Sequence, residues 1–482
     1  MIRTVEFNNF RNLNRVYRID NKLNVIFGKN NSGKTNLLDG IRIAFSAITN
    51  DYCKIKKSDF AESDDSKKIV IKVKMDPDDI PSLNYVNGHT IECGFIVEIT
   101  KTQKGRYTKK VFLYDGNTVD YEILREDEHL PNIYVIPLIR VDEIYTDWLS
   151  TGISAFIESE EKYKDIKAES KKNIKTAMSN KIDIFKNFCS KFNENFDIEL
   201  TEPKITDEKV FIVDGDNEYN YNIGSGYKSI ANIILNSMDN SFSIILIDEI
   251  ENHLHPSLIR TLIREIKSLN ENAQIISTTH SPVIINEVRA DELIDISGNK
   301  ISDIDEENVK KLEKFLHTGR SEIVFGDNII LVEGYTEELL IKNYLYTNNY
   351  NWTVVNVGGI MFEPYIELAT ILKKKIIVVS DDDVVLSSDK KTPSSRYIKL
   401  QNYCNKKGVT IVNTYNTLES DLYKNGIISG KNLIKKEDCD IYVAKQGLKT
   451  LIMQELILDD DFDTKIDSWH IVKEIKNEFG NN

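Results

Sequence analysis

Two stretches of this 482-residue chain place residue types at spacings that could handle phosphate. In "IFGKNNSGKTNLLDGI" (26–41), Gly28, Asn30, Asn31, Ser32, Gly33, Lys34 and Thr35 fall within the pattern G-x-x-x-x-G-K-[ST]. The glycines let backbone N–H groups close around a β-phosphate. Lys34 can then reach the β/γ oxygens, and Thr35 can ligate Mg²⁺. In "IILVEGYTEELLI" (329–341), Glu333 ends an apolar run, and Glu337 follows about one helical turn later on the same face. Forty-eight residues beyond Glu333, "IIVVSDDDVV" brings Asp381, Asp382 and Asp383 to the end of another apolar run. Period-two alternation sends Asp381 and Asp383 to one side and Asp382 to the other. An all-oxygen cluster suits Mg²⁺ or Mn²⁺ rather than zinc. Two such ions about 3.5–4 Å apart can activate water and stabilise the leaving 3′ oxygen of a phosphodiester.

Strands must carry these groups to one edge of a sheet. Residues 2–7 and 22–27 read as strands, the second feeding the glycine turn and a helix from about Thr35 to Ala47. The runs "KIVIKVKM", "TIECGFIVEIT", "KKVFLYDG" and "NIYVIPLI" (about 69–136) suggest an antiparallel sheet or flap on this first lobe. Residues 141–200 carry few glycines and mostly helix formers, and read as an inserted helical segment. Strand signals return at "KVFIVDG" (209–215), "SIILIDE" (243–249) and "AQIISTTH" (273–280), alternating with helical stretches as a parallel α/β sheet requires. Asp248 would hold a metal ion, directly or through water, and Glu249 would orient or deprotonate an attacking water. His280 is placed to contact a γ-phosphate. In "IGSGYKS" (223–229), Ser225 and Gly226 could offer a hydroxyl and N–H groups to a phosphate. After the charged stretch 297–316, "NIILVEG", "TVVNVGG", "KIIVVSDDD" and "VTIVNTY" define a second α/β domain. In an open parallel sheet, ligands sit at the carboxyl ends of the strands, where Glu333 can meet Asp381 and Asp383.

Composition narrows the classes. No apolar run approaches the roughly 18 residues a membrane span needs, and "MIRTVEFNNFRNL" is no signal peptide, so a soluble cytoplasmic protein is expected. The five cysteines are far apart and form no C-x-x-C pair, so they suggest neither a zinc site nor a disulfide framework. A net charge of −14 argues against a generally basic nucleic-acid binder. DNA binding must then rest on metal ions or on local patches at 101–110, 167–181 and 387–399.

The phosphate cradle, "GSGYKS", "IDE" and "TTHSP", in that order, resemble an ABC-type ATPase of the SMC/RecF branch, as does the opening "MIRTVEFNNFRNL". The resemblance implies ATP and a dimer in which the signature loop completes a partner's site, although "GSGYKS" departs from the branch's L-S-G-G. E-G-x-x-E followed by D-x-D resembles the TOPRIM domain. The fusion resembles the OLD (overcoming lysogenization defect) family of ATP-dependent nucleases over nearly the whole chain. That resemblance implies an ABC-type ATPase at 1–140 and 201–320, a helical dimerisation insert at 141–200, and a C-terminal α/β TOPRIM domain at 321–482.

It also implies metal-binding roles for Glu333, Glu337, Asp381 and Asp383, with Glu419 of "NTLESDL" on a second metal and Ser380 in support. The carboxylates would take two Mg²⁺ or Mn²⁺ ions, and the ATP site one. A C-terminal lysine near the scissile phosphate is implied too, with Lys445 favoured over Lys449. The expected function is an ATP-regulated, metal-dependent DNA endonuclease or nickase in anti-phage defence. Its expected assembly is a homodimer or larger, with a helicase or a reverse-transcriptase/DNA complex as a defence-system partner. The competing expectation is an SMC/RecF-like DNA-repair ATPase that binds DNA without cutting it. A topoisomerase-like strand passer would need a catalytic tyrosine on a further domain.

Overall fold

The computed structural model describes residues 1–49, 54–76, 94–113, 244–269, 273–300, 303–304, 306–315, 319–359, 361–387, 390–436 and 441–480, together with residue 233 and the two-residue strands 85–86, 89–90, 118–119, 139–140, 204–205 and 210–211. The helical segment expected at 141–200, the basic patch at 167–181 and the Ser225–Gly226 turn lie outside the described residues. The chain divides into two compact units, Met1–Lys300 and Ile301–Asn482.

In the first unit, β1 (Ile2–Asn8), β2 (Val16–Arg18), β4 (Ile69–Met75), β5 (Gly94–Lys101), β6 (Tyr107–Leu113) and β7 (Thr118–Val119) form an antiparallel sheet in the order β2-β1-β4-β5-β6-β7. β4 alternates between more and less buried positions, as a strand with one covered face does. A second, parallel sheet runs β8-β9-β10-β3-β11, made of β8 (Ile139–Arg140), β9 (Ile244–Asp248), β10 (Gln274–Thr279), β3 (Leu23–Phe27) and β11 (Leu293–Asp295). β3, β9 and β10 are buried at every position, which is why they read as unbroken apolar runs rather than alternating ones. Helix α1 (Lys34–Thr49) follows the glycine turn, and α2 (Pro256–Leu269) and α3 (Pro282–Glu287) flank β10 in sequence.

Two strand expectations need correction. The end of "NIYVIPLI" joins the parallel sheet, since Ile139 and Arg140 pair with Ile247 and Asp248. Val210–Phe211, from "KVFIVDG", instead forms an antiparallel pair with Lys204–Ile205. An apolar run sets strand character but not the partner it finds.

Phe7, Phe10, Tyr17, Phe45, Phe60 and Phe95 anchor the core of this unit. Gly40 lies where α1 meets β1, and a Cβ there would strike the Phe7 ring. Gly40→Ala is therefore expected to destabilise the first unit by about 1–3 kcal/mol, read as an earlier denaturant midpoint.

The second unit holds a four-stranded parallel sheet, β13-β12-β14-β15, of β12 (Asn328–Val332), β13 (Thr353–Asn356), β14 (Lys375–Asp381) and β15 (Thr410–Thr414). Around it lie α4 (Tyr335–Asn348), α5 (Glu363–Ile371), α6 (Ser395–Lys407), α7 (Leu418–Lys424), α8 (Lys449–Ile457) and α9 (His470–Phe479). Its core gathers Tyr344, Trp352, Trp469 and Phe479 with the strand aliphatics. No described helix is long and apolar enough to cross a membrane.

Candidate functional sites: a phosphate cradle and a carboxylate cluster

In the first unit, the parallel register brings the ends of β9, β10 and β3 to one edge, with Phe27 opposite Thr279 and Ile247 opposite Ser277. The chain leaves β3 through a turn that only glycine suits at Gly33. There φ is +103°, and a Cβ would sit 2.6 Å from the Asn12 side chain. Asn30 and Asn31 are exposed on the turn, and Asn31 takes the left-handed conformation at φ 61°. The Ser32 hydroxyl is buried without a hydrogen-bond partner. Lys34 is almost fully buried, and its ammonium donates to the Gly28 and Lys29 carbonyls at 2.9 Å each. Burial pushes its pKa down, against the opposing pull of Glu249, Glu251 and Asp248. An orphaned hydroxyl and a low-dielectric ammonium at a helix N-terminus fit a polyphosphate.

The partners expected from sequence stand beside this turn. Thr35 donates to both oxygens of Asp248, at 3.2 and 3.0 Å, and Thr278 donates to the same carboxylate at 2.6 Å. The Glu249 N–H donates to the Thr278 hydroxyl at 2.8 Å, and its side chain accepts from Asn252 at 2.7 Å. His280 Nδ1 lies 3.7 Å from Glu249 and 3.4 Å from Glu251. Glu251 was missed in the sequence. It is buried, accepts the His280 N–H at 2.6 Å, and has its pKa pushed up chiefly by burial. The signal was present as a third carboxylate two residues beyond Glu249 in "IDEIEN".

In the second unit, Val332 pairs with Val379 and with Asn356, and Asp381 pairs with Thr414. Glu333, Asp381 and Thr414 thus reach the carboxyl ends of adjacent strands. Glu337 is buried in the first turn of α4, and Glu419 is buried at the start of α7, whose N-cap is the Thr417 hydroxyl accepting from Ser420. The Ser380 hydroxyl donates to Glu333 at 3.1 Å, and Thr414 donates to Asp381. Asp382 turns elsewhere, accepting from the Asn413 side chain at 2.9 Å and the Asn416 N–H at 2.7 Å.

Two cations lie among these acids. Arg396 of α6 forks onto Glu333 at 3.0 and 3.2 Å and reaches Asp383 at 2.9 Å. The Lys449 ammonium lies 3.6 Å from both Glu337 and Glu419. Burial alone would push the Lys449 pKa down, but Glu337, Glu419 and Asp381 outweigh it and hold the pKa above the ordinary value. Lys445, favoured in the sequence, is exposed and donates to the Lys431 carbonyl at 3.1 Å. The carboxylates therefore meet Lys449 and not Lys445. Arg396 came from a stretch read as a basic surface patch, yet its guanidinium faces inward to the acids. The patch at 101–110 is partly spent on local partners, since Lys101 pairs with Asp65 at 2.8 Å and Lys109 donates to Ser46 at 2.7 Å.

Five carboxylates share two cations here, and the surplus is felt at Asp381. Burial raises its pKa to about 7, with Glu337 and Glu333 adding to the rise while the Thr414 hydrogen bond and Lys449 oppose it. Among the described residues no three His, Cys, Asp or Glu side chains form a finished metal site. Arg396 and Lys449 occupy places between the acids instead. The donor set, all oxygen and net negative, nevertheless fits hard divalent ions.

Comparison with known proteins follows the same division. Residues 324–383 match the family described as "Overcoming lysogenization defect protein-like, TOPRIM domain". A protein named Endonuclease GajA from Bacillus cereus (strain VD045) is 25% identical over 420 residues, covering 75% of this chain and 71% of that protein. A second Endonuclease GajA, from Bacillus cereus (strain HuB5-5), is 30% identical over 199 residues, covering 31% of this chain and only 29% of that protein's length. Septu protein PtuA from Bacillus thuringiensis is 25% identical over 311 residues, covering 58% of this chain and 72% of that protein. Residues 23–286, more than half of the chain and the span of the phosphate cradle and its partners, match "AAA domain, putative AbiEii toxin, Type IV TA system". The chain belongs to this AAA-domain family, and an OLD-like TOPRIM domain follows its ATPase domain.

Proposed function

We propose that this protein is an ATP-regulated, divalent-metal-dependent DNA endonuclease or nickase that acts in anti-phage defence. The observation that carries this reading is the gathering of five carboxylates at the carboxyl ends of a parallel sheet, with Glu337, Glu419 and Asp381 about Lys449 and Glu333 and Asp383 about Arg396. The endonuclease and Septu relatives support the substrate and the setting.

In this reading the five carboxylates hold two Mg²⁺ or Mn²⁺ ions. Bound there, such ions supply Lewis-acid charge to the reacting phosphodiester. Ser380 and Thr414 fix the orientation of Glu333 and Asp381 through their hydroxyl hydrogen bonds. Lys449, kept cationic by its neighbours, offsets charge on the scissile phosphate. In the first unit the cradle takes ATP. Thr35 and Asp248 hold one Mg²⁺, Glu249 orients water, and His280 senses the γ-phosphate. Glu251 fixes His280 through its backbone N–H. Ser225 and Gly226 would complete the ATP site of a second copy, so a homodimer is the minimum assembly. A helicase or a reverse-transcriptase/DNA complex is the class of defence partner that fits.

A second reading treats the acids as a structural ion-pair network in a DNA-repair ATPase, and the Arg396 fork to Glu333 favours it. Supercoiled plasmid with Mg²⁺ or Mn²⁺, with and without ATP, separates the two. Wild type is expected to nick or linearise it, Asp381→Ala to leave it intact, and Lys34→Ala to change only the ATP response. Equal cutting by Asp381→Ala would move the activity away from these carboxylates.

A further inference from the structure

Beside the carboxylates, an aromatic ladder climbs from the core of the second unit to its surface. Trp469, fully buried, meets His470 edge-on at 6.3 Å and 84°. His470 stacks on Tyr415 at 4.9 Å and 29°. Tyr415 ends the ladder with 53% of its surface exposed. Each rung is held from behind. The Trp469 indole donates to the buried Asp421 carboxylate at 2.6 Å, and His470 Nε2 lies 3.2 Å from the Asn413 carbonyl of β15.

The loop that carries Tyr415 is pinned to the acids on both sides. Thr414, the preceding residue, donates to Asp381, and the next residue, Asn416, gives its N–H to Asp382 at 2.7 Å. The Thr417 N–H closes back on the Tyr415 carbonyl at 3.1 Å. Asn416 takes φ 71°, a left-handed turn that asparagine tolerates and that completes the tight loop. An exposed ring would ordinarily be free to rotate away. Here the loop fixes its backbone and His470 backs one of its faces. That is a pre-formed stacking surface, one residue from a hydroxyl that orients Asp381.

We propose that Tyr415, backed by His470, is a platform on which an unpaired nucleobase of the substrate strand stacks beside the carboxylate cluster. The substrate class follows. A base can lie on this ring only when it is out of its duplex, so the site prefers single-stranded DNA, or duplex opened near the scissile phosphate, over intact helix. Stacking needs a π-face and no hydrogen-bond code, so the platform is tolerant of sequence. The chain's net charge of −14 makes such a contact more useful, because the overall charge does not draw the phosphate backbone in. This proposal rests on the nuclease reading for its substrate but concerns binding rather than cutting.

The test uses the full chain and a short single-stranded DNA carrying a fluorescent adenine analogue, bound in Ca²⁺ and in chelator. Wild type is expected to quench the analogue. Tyr415→Ala and Tyr415→Leu should weaken binding about tenfold and lose the quench, while Tyr415→Phe keeps both within about twofold. Tyr346, exposed near the far end of α4, supplies the control, and Tyr346→Ala should bind as wild type does. Unchanged affinity and quench in Tyr415→Ala, or a wild type that binds the intact duplex as tightly as the single strand, would overturn the platform. Plasmid cleavage by the same preparations keeps the two ideas apart. If wild type cuts and Tyr415→Ala binds normally, only the platform fails. If wild type cuts nothing but binds and quenches through Tyr415, the platform stands and the nuclease reading fails.

Discussion

Asp381→Asn is expected to abolish metal-dependent cleavage and, in the same protein, to raise the unfolding temperature of the metal-free second unit. Both effects come from one crowded charge. Asp381 has its pKa pushed up to about 7 by burial, with Glu337 and Glu333 next to it. An unfolded aspartate ionises near ~3.9. Between those values the native state holds a proton that the unfolded chain has released, so stability falls as pH rises through this window. The full cost is present above about 7.

Asparagine keeps the acceptor for the Thr414 hydroxyl and removes the charge. In chelator at pH 8 the variant should therefore melt several degrees higher than wild type, and near pH 4 the two should converge. A unit of this size gains about 2–4 °C per kcal/mol. Adding Mg²⁺ should raise wild type and move the variant much less. A variant that melts lower than wild type at pH 8 in chelator would mean that Asp381 is a stabilising partner rather than a strained one.

Lys449→Met is expected to slow cleavage by about 10²–10³-fold, as loss of a positioned charge at a reacting group does, while Lys445→Met stays within about twofold. In sequence the two lysines look alike. In the fold, Lys449 opens α8 and sits 3.6 Å from Glu337 and Glu419, whereas Lys445 is turned to the Lys431 carbonyl. Because its pKa is held above the ordinary lysine value, Lys449 stays charged through neutral and mildly alkaline pH and serves as a fixed cation, not a base. Its removal also leaves two buried glutamates without their counter-charge, so Lys449→Met should melt lower. Rates are therefore compared at a temperature where both proteins are folded, with kcat separated from KM. A Lys449 variant with wild-type kcat, or a Lys445 variant as damaged as Lys449→Met, would reverse the assignment.

The sequence makes the strands plain where both faces are buried. "NVIF", "IILID" and "IIVVSD" are continuous apolar runs, and parallel strands need that pattern. The cradle was equally legible, since glycine spacing and a following helix constrain each other. Long-range pairing was not. Val210–Phe211 has the right composition for the parallel sheet but pairs with Lys204–Ile205, because local alternation contains nothing about the partner. Arg396 was hidden for a similar reason. It lies in a serine- and lysine-rich stretch typical of solvated surface, and only the packing of α6 turns it toward Glu333 and Asp383. Glu251 does not stand out in the sequence because Asp248 and Glu249 already fill the metal and water roles at that strand end.

The two units also differ in what they can report to light. The chain has three tryptophans, and Trp352 and Trp469 are both sunk in the apolar core around the carboxylate-bearing sheet. Trp352 stacks on Tyr350 at 4.3 Å, while Trp469 leans on Asp421 at 2.6 Å. A carboxylate touching an indole shifts and quenches its emission. The second unit therefore carries a built-in optical probe linked through His470 to its own exposed ring, whereas the cradle has no tryptophan among its described neighbours. Two of the three tryptophans thus belong to the second unit, and a change in the colour of Trp469 reports on the surroundings of Asp421.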